Sequence, residues 1–180
     1  MTTASHPSTV TYAPDQTAPA RTRAALLAIS AAVIVLDRVT KLLVSRHLEM
    51  GEAHVVIPHV FRITHVLNTG AAFSAFAESA NPETVRLALI AFSVAAVVVV
   101  AVMLWRSAAS VTLSGIALAL ILGGAIGNLY DRIRLHHVID FLEVHIAHYH
   151  WPDFNIADSA IVVGACLLLL EIFRPQPSEA

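Results

Sequence analysis

The sequence predicts an all-α membrane protein of four transmembrane helices with a small extracytoplasmic β-sheet element. Three observations lead there. The 180 residues are 57% hydrophobic and 13% charged, with a mean hydropathy of +0.70, outside the composition of ordinary soluble domains. Four apolar runs approach the roughly 20 residues that cross a bilayer core. Two further stretches alternate apolar and polar residues as half-buried strands do.

Met1 to Arg23 is rich in Ser, Thr, Pro and Ala. It holds too little apolar surface to offset its ordering entropy and is expected to form a disordered leader. Ala24 to Val44 is the first span, with Asp37, Arg38 and Lys41 in its second half. Those charges argue against a cleavable secretory signal, whose apolar region is uncharged. Val60 to Val66 then alternates along Val-Phe-Arg-Ile-Thr-His-Val, and Val138 to His145 does so more weakly. The two stretches are expected to pair into a sheet at the membrane surface, because open backbone at that depth must find partners outside the hydrocarbon. Leu87 to Trp105 is the second span, with Ser93 its only polar side chain, and is expected to act as lipid anchor and scaffold. Val111 to about Tyr130 is the third, and Ile156 to Phe173 the fourth, ending at Arg174. The layout is one domain over 24–174, with segments outside the spans at about 45–86 and 131–155 and a short tail over 175–180.

A net charge of −2 leaves no basic surface for nucleic acid, and no motif for one is present. Cys166, the single cysteine, cannot form an intrachain disulfide and is expected as a packed thiol in an apolar helix.

Four antiparallel spans bring the end of helix one, the start of helix two, the end of helix three and the start of helix four to one membrane face. The unusual polar residues sit there: Asp37, Arg38, Lys41, Asn68, Asn128, Asp131, Arg132, Asp140, Asn155 and Asp158. Polar groups at such depth are costly, so their clustering is a functional-site signal. Asp37 and Lys41 are i,i+4 in the favourable order, and the bland reading is a structural ion pair. Asn128 shares a helical stripe with Asp131 and Arg132, for which an interfacial snorkelling network is the dull explanation. The Gly123-x-x-x-Gly127 spacing just before it admits close helix packing, matching Ala160 and Gly164 and bringing Asp158 near the end of helix three. Asn155 followed three residues later by Asp158 also reads as a helix N-cap. Asp140, flanked by Val138, Ile139, Phe141 and Leu142, needs a partner to be buried, and Asp158 is a candidate.

Five blocks together resemble the lipoprotein signal peptidase (signal peptidase II) family. They are Asp37-Arg-Val-Thr-Lys41, Asn68-Thr-Gly-Ala-Ala-Phe-Ser74, Gly123-Gly-Ala-Ile-Gly-Asn-Leu-Tyr-Asp-Arg132, Val138-Ile-Asp-Phe141 and Phe154-Asn-Ile-Ala-Asp-Ser159. They stand in the family's order across roughly Ala24 to Phe173. The resemblance implies a membrane aspartic endopeptidase that removes signal peptides from diacylglyceryl-modified bacterial prolipoproteins, cutting before the lipid-modified cysteine. It implies Asp140 and Asp158 as the catalytic pair. Asn68, Gly70, Asn128, Arg132 and Asn155 would surround the pair and hold substrate, with Asp131, Asp37 and Lys41 in support. It further implies a monomer in the inner membrane among its lipids, both termini cytoplasmic and the pair at the outer face. No metal or organic cofactor is needed for aspartyl chemistry. The leader and the His-rich segment from His136 to His150 have no counterpart in the motif set.

Three rivals are weaker. His136, His137, His145, His148 and His150 offer zinc ligands for a metallopeptidase, but no His-Glu-x-x-His motif specifies one, and a solvated interfacial loop explains them. A proton-coupled transporter using Asp37 or Asp131 lacks a chain of ionisable groups across the spans. A serine peptidase using Ser74 or Ser159 lacks a base and an orienting group. Arginines fall on both sides of the predicted spans, so charge does not choose the orientation.

Overall fold

The computed structural model describes residues 18–70, 81–107, 111–147 and 149–173. It is mostly helical, with one small antiparallel sheet. Chain order is α1 (Ala18–His47), β1 (Ala53–Ile57), β2 (Phe61–Asn68), α2 (Pro82–Ser107), α3 (Leu113–Arg134), β3 (Val138–Ile146), β4 (Tyr149–Phe154) and α4 (Ile156–Ile172). The first seventeen residues, Ala71 to Ser74, His148, Arg174 and the tail lie outside the described residues.

Helix α1 begins at Ala18, inside the stretch expected as leader. The alanines there are strong helix formers, and the Arg23 guanidinium lies 4.4 Å from the centroid of the Trp105 ring on α2, which gives the added turns a tertiary contact. Helix α3 is central and packs on each of the other three helices. At the end remote from the polar residues, Leu26, Leu104, Leu118, Ala119 and Leu122 form the apolar core of α1, α2 and α3. Ser30 donates from there to the Ala119 carbonyl at 2.8 Å, so the buried hydroxyl is satisfied.

Close backbone approach depends on glycine. A Cβ on Gly123 would meet the Ser30 carbonyl at 2.7 Å, and one on Gly164 would meet the Ala117 carbonyl at 2.6 Å. A Cβ on Gly124 would collide with the Ala157 carbonyl. The small-residue spacing therefore serves two neighbours: Gly123 admits α1, and Gly124 admits α4. Cys166 is exposed on the outward side of α4 instead of packed.

Two helical stretches, Glu83–Ser107 and Leu113–Arg134, are long and apolar enough to cross a membrane. Helix α4 has 17 residues, and α1 carries Arg21, Arg23, Asp37, Arg38, Lys41 and Arg46.

The sheet runs β1-β2-β3-β4, antiparallel throughout. The two alternating stretches do pair, with Arg62 opposite Glu143 and Val66 opposite Asp140. A bulge in β2 between Ile63 and Val66 shifts the register just before Asp140. The outer strands β1 and β4 were not legible: β1 is exposed along its whole length, and Pro152 sits inside β4, where a proline argues against a strand. The His-rich segment is thus a β-hairpin and not the expected solvated loop, with His145 directly opposite His150. Arg62 grips Glu143 through one guanidinium edge, Nε donating to Oε2 and Nη2 to Oε1. Its hydrogen bonds, with His145 adding to them, hold the Glu143 carboxyl below the usual range.

Candidate active site

The polar residues gather where α1, α3 and α4 meet strand β3. Lys41 is at the centre and fully buried. Its ammonium donates to Asp37 Oδ2 at 2.8 Å and to Asn128 Oδ1 at 3.2 Å, and it is ion-paired with Asp131 Oδ2 at 2.7 Å. The i,i+4 pair of Asp37 and Lys41 is therefore one edge of a larger network. Asp37 also reaches across to α4, where its Oδ1 accepts from the Ala157 N–H at 3.0 Å. That N–H is one of the unpaired donors at a helix start, so the contact ties α1 to the first turn of α4.

Asp131 has a second cation. Arg38 Nη1 lies 2.5 Å from Asp131 Oδ1, and its guanidinium stands 4.8 Å from the centroid of the Tyr130 ring. Two carboxylates thus meet two cations, and this part of the site is neutral.

Asp140 and Asp158 are held differently. Asp140 Oδ1 accepts from Asn155 Nδ2 at 2.7 Å, and its Oδ2 accepts from Asn68 Nδ2 at 2.9 Å. Asp158 Oδ1 accepts from Asn128 Nδ2 at 2.7 Å, and its Oδ2 from the Asn155 backbone N–H at 3.3 Å. Asn155 Nδ2 also reaches Asn128 Oδ1 at 3.2 Å, so the path between the two carboxylates runs through Asn155 and Asn128. The partners of Asp140 are asparagines, with Asp158 felt through its charge. Among the described residues no lysine or arginine pairs with either carboxylate. Asp140 is only 2% exposed. Burial pushes its carboxyl up to about 6, with the Asp158 charge adding, against the hydrogen bonds from Asn68 and Asn155 and the Lys41 charge.

The supporting turns are equally specific. Asn155 caps α4 by accepting from the Asp158 N–H at 2.9 Å, and Asp158 answers through the Asn155 N–H, a complete capping box. The capping reading of that motif holds, and the same two side chains also contact Asp140 and Asn128. Gly70 has φ of 91°, a left-handed conformation suited to glycine. Its N–H donates to Asn68 Oδ1 at 2.8 Å and turns the Asn68 amide toward Asp140. Arg132 Nη1 lies 3.4 Å from the Asn128 carbonyl, and its positive charge is felt by both Asp158 and Asp140.

A cavity of about 280 Å³ opens on this centre. Asn128, Arg132 and Asp158 form its polar edge, and Leu89, Phe92 and Ile161 part of its apolar wall. Ser93 and Ala96 lie in the same wall, so α2 shapes the cavity and is more than an anchor. The contribution of α2 went unseen because a uniformly apolar helix hides which face looks inward. Arg38 was noted in sequence but given no task. The signal was available in the count of charges, since Asp131 needed a cation beyond Lys41.

The helical framework thus sets Asp158, linked through Asn128 and Asn155 to Asp140, at the polar edge of an apolar cavity, an arrangement suited to an aspartic hydrolase. Comparison with known proteins gives the family. Residues 29–174 match the family described as Signal peptidase (SPase) II. A lipoprotein signal peptidase of Pseudomonas putida is 50% identical over 158 residues, 87% of this chain and 91% of that protein. One of Solibacter usitatus is 42% identical, covering 84% and 92%. A bacterial membrane enzyme structure obtained by the in meso method at 1.9 Å resolution superposes with a TM-score of 0.74 at 27% identity, covering 85% of this chain and 95% of that one. The chain belongs to the signal peptidase II family, whose members are membrane aspartic peptidases.

Proposed function

We propose that this signal peptidase II removes signal peptides from diacylglyceryl-modified prolipoproteins, cutting before the lipid-modified cysteine, with Asp140 and Asp158 as the catalytic pair. The observation that carries this reading is the pair itself: two carboxylates joined through Asn155 and Asn128, with no cation partner among the described residues. Like charges held close cannot both ionise cheaply, so the pair shares a proton near neutral pH. The ionised member takes a proton from water, whose oxygen attacks the scissile carbonyl. The protonated member donates to the carbonyl oxygen; as the tetrahedral intermediate collapses, the carboxyl that took the water proton passes it to the departing amine, and the other takes back a hydroxyl proton, restoring the starting state. The apparent pKa values belong to the pair, and either carboxyl can hold the proton first.

The remaining side chains fall into place around that chemistry. Asn128 and Asn155 fix the spacing of the carboxyls, and Asn68, set by Gly70, orients Asp140. Arg132 at the cavity edge offers a cation for substrate carbonyls or lipid. Asp37, Asp131 and Lys41 are the neutral support beneath.

All four helices span the membrane in this reading. The charges of α1 turn inward at Asp37 and Lys41, while Val35, Leu36, Val39, Leu42 and Leu43 remain exposed, as a lipid-facing side requires. Helix α4, at 17 residues, rises about 26 Å, close to the hydrocarbon thickness. Its exposed Val162, Val163, Leu169, Leu170 and Ile172 suit the same environment. Both termini are cytoplasmic, the sheet rests on the outer face of the inner membrane, and a single chain suffices. A signal peptide already in the bilayer enters sideways through the cavity wall formed by Leu89, Phe92 and Ile161.

The test is cleavage of a diacylglyceryl-modified precursor by purified protein, comparing wild type with Asp140→Asn and Asp158→Asn, with and without chelator. Chelator-resistant cleavage that falls at least about a thousandfold in both variants, or about 4 kcal/mol of barrier, is expected. Substantial turnover in both folded variants would remove the pair from the mechanism.

A further inference from the structure

The sheet carries a second cluster of ligand-type side chains that takes no part in the hydrolysis. Glu143 and His145 lie on the same face of β3, two residues apart, and His150 stands opposite His145 on β4. Both imidazoles aim at one oxygen: His145 Nε2 lies 2.8 Å and His150 Nε2 3.0 Å from Glu143 Oε1. One ligand atom from each of the three side chains falls within 4.8 Å of the other two. Asp140 is an odd number of residues away on the same strand and points to the opposite face.

We propose that Glu143, His145 and His150 bind a zinc-class divalent cation through Oε1 and the two Nε2 atoms, cross-linking β3 to β4 on the face of the sheet away from the catalytic pair. Two imidazoles and a carboxylate are a borderline donor set that suits zinc and its neighbours, whereas magnesium and calcium take oxygen ligands. Bonds near 2.1 Å to a tetrahedral ion put donors about 3.4 Å apart. The imidazole-to-carboxylate contacts have to open by roughly half an ångström to admit it. The strand pairing already fixes the two histidines opposite each other, so little freedom is lost on binding.

The surroundings support the same assignment. Glu143 is buried, and Arg62 Nε holds its other oxygen, Oε2, at 2.7 Å, as outer partners of metal-binding carboxylates do. The Arg62 contact to Oε1 is the one the ion displaces. Asp153 Oδ2, 3.8 Å from His150 Nε2, is a further oxygen ligand among the described residues and shares the fourth position with water. Thr64 holds the other Asp153 oxygen at 2.7 Å. This site stands independently of the proposed hydrolytic mechanism, which uses no metal.

The experiment is zinc binding to the full-length, untagged protein in detergent after chelator treatment, measured by equilibrium dialysis, with cobalt as a spectroscopic substitute. One zinc per chain, a cobalt d–d spectrum, and affinity at least about tenfold weaker in His150→Gln and Glu143→Gln are expected. Zinc should also raise the melting temperature of wild type and leave that of the His145→Ala/His150→Ala double variant unmoved. Precursor cleavage by each stripped variant establishes that it is folded. Absence of stoichiometric binding by wild type, or undiminished binding by the folded double variant, would overturn the proposal.

Discussion

Two pairs of carboxylates lie in one polar layer, yet their surroundings are opposite. Asp37 and Asp131 meet Lys41 and Arg38, charge against charge. Asp140 and Asp158 meet asparagine amides and backbone. A carboxylate locked to a cation in a buried site is poorly suited to exchanging protons, because protonation would strand the cation. A carboxylate held by neutral donors keeps its position in either protonation state. The contrast supports the proposed division, with the first pair as support and the second as the catalytic pair.

Stability measurements can sharpen that contrast. The largest effect is expected from Lys41→Met, which leaves Asp37 and Asp131 short of a cation in a buried site. A loss of about 3–5 kcal/mol follows, read as a lower melting temperature, and little change would mean that the network relaxes or admits water. Asp140→Asn should act in the other direction. The folded-state value of about 6 lies above the ordinary 3.8, so stability from this group is fully present below pH 3.8 and is lost as pH rises through about 6. Removing the charge should therefore stabilise the protein at pH 8 by up to about 3 kcal/mol, read as a higher melting temperature, and do little at pH 4. An identical effect at both values would contradict the raised carboxyl. The smallest change belongs to Arg38→Ala, about 1–2 kcal/mol from one charged hydrogen bond and a ring contact, because Asp131 keeps Lys41.

Much of this architecture is written in local pattern. Apolar run length gave the helices, and alternation gave the pairing of β2 with β3. The i,i+4 spacing gave one edge of the Lys41 network, and the Asn155-to-Asp158 interval gave the cap. What was hidden depends on tertiary position. No spacing rule joins Arg38 to Asp131 across 93 residues, and none identifies asparagines as the partners of Asp140. The start of α1 was missed because its stabilising contact, Arg23 on Trp105, comes from another helix. The β3–β4 hairpin was missed because Pro152 and a concentration of histidines read as loop. The proposed catalytic pair rests on family resemblance; spacing alone left Asp158 with an adequate explanation as a cap.

The most direct test measures precursor turnover and melting temperature side by side for Asp140→Asn, Asp158→Asn, Asp37→Asn and Asp131→Asn. The account predicts that the first two lose cleavage while their melting temperatures hold or rise, and that the last two lose melting temperature while their folded fraction still cuts. Cleavage surviving in Asp140→Asn and Asp158→Asn but vanishing in a well-folded Asp37→Asn or Asp131→Asn protein would contradict it and move the chemistry to the cation-paired carboxylates.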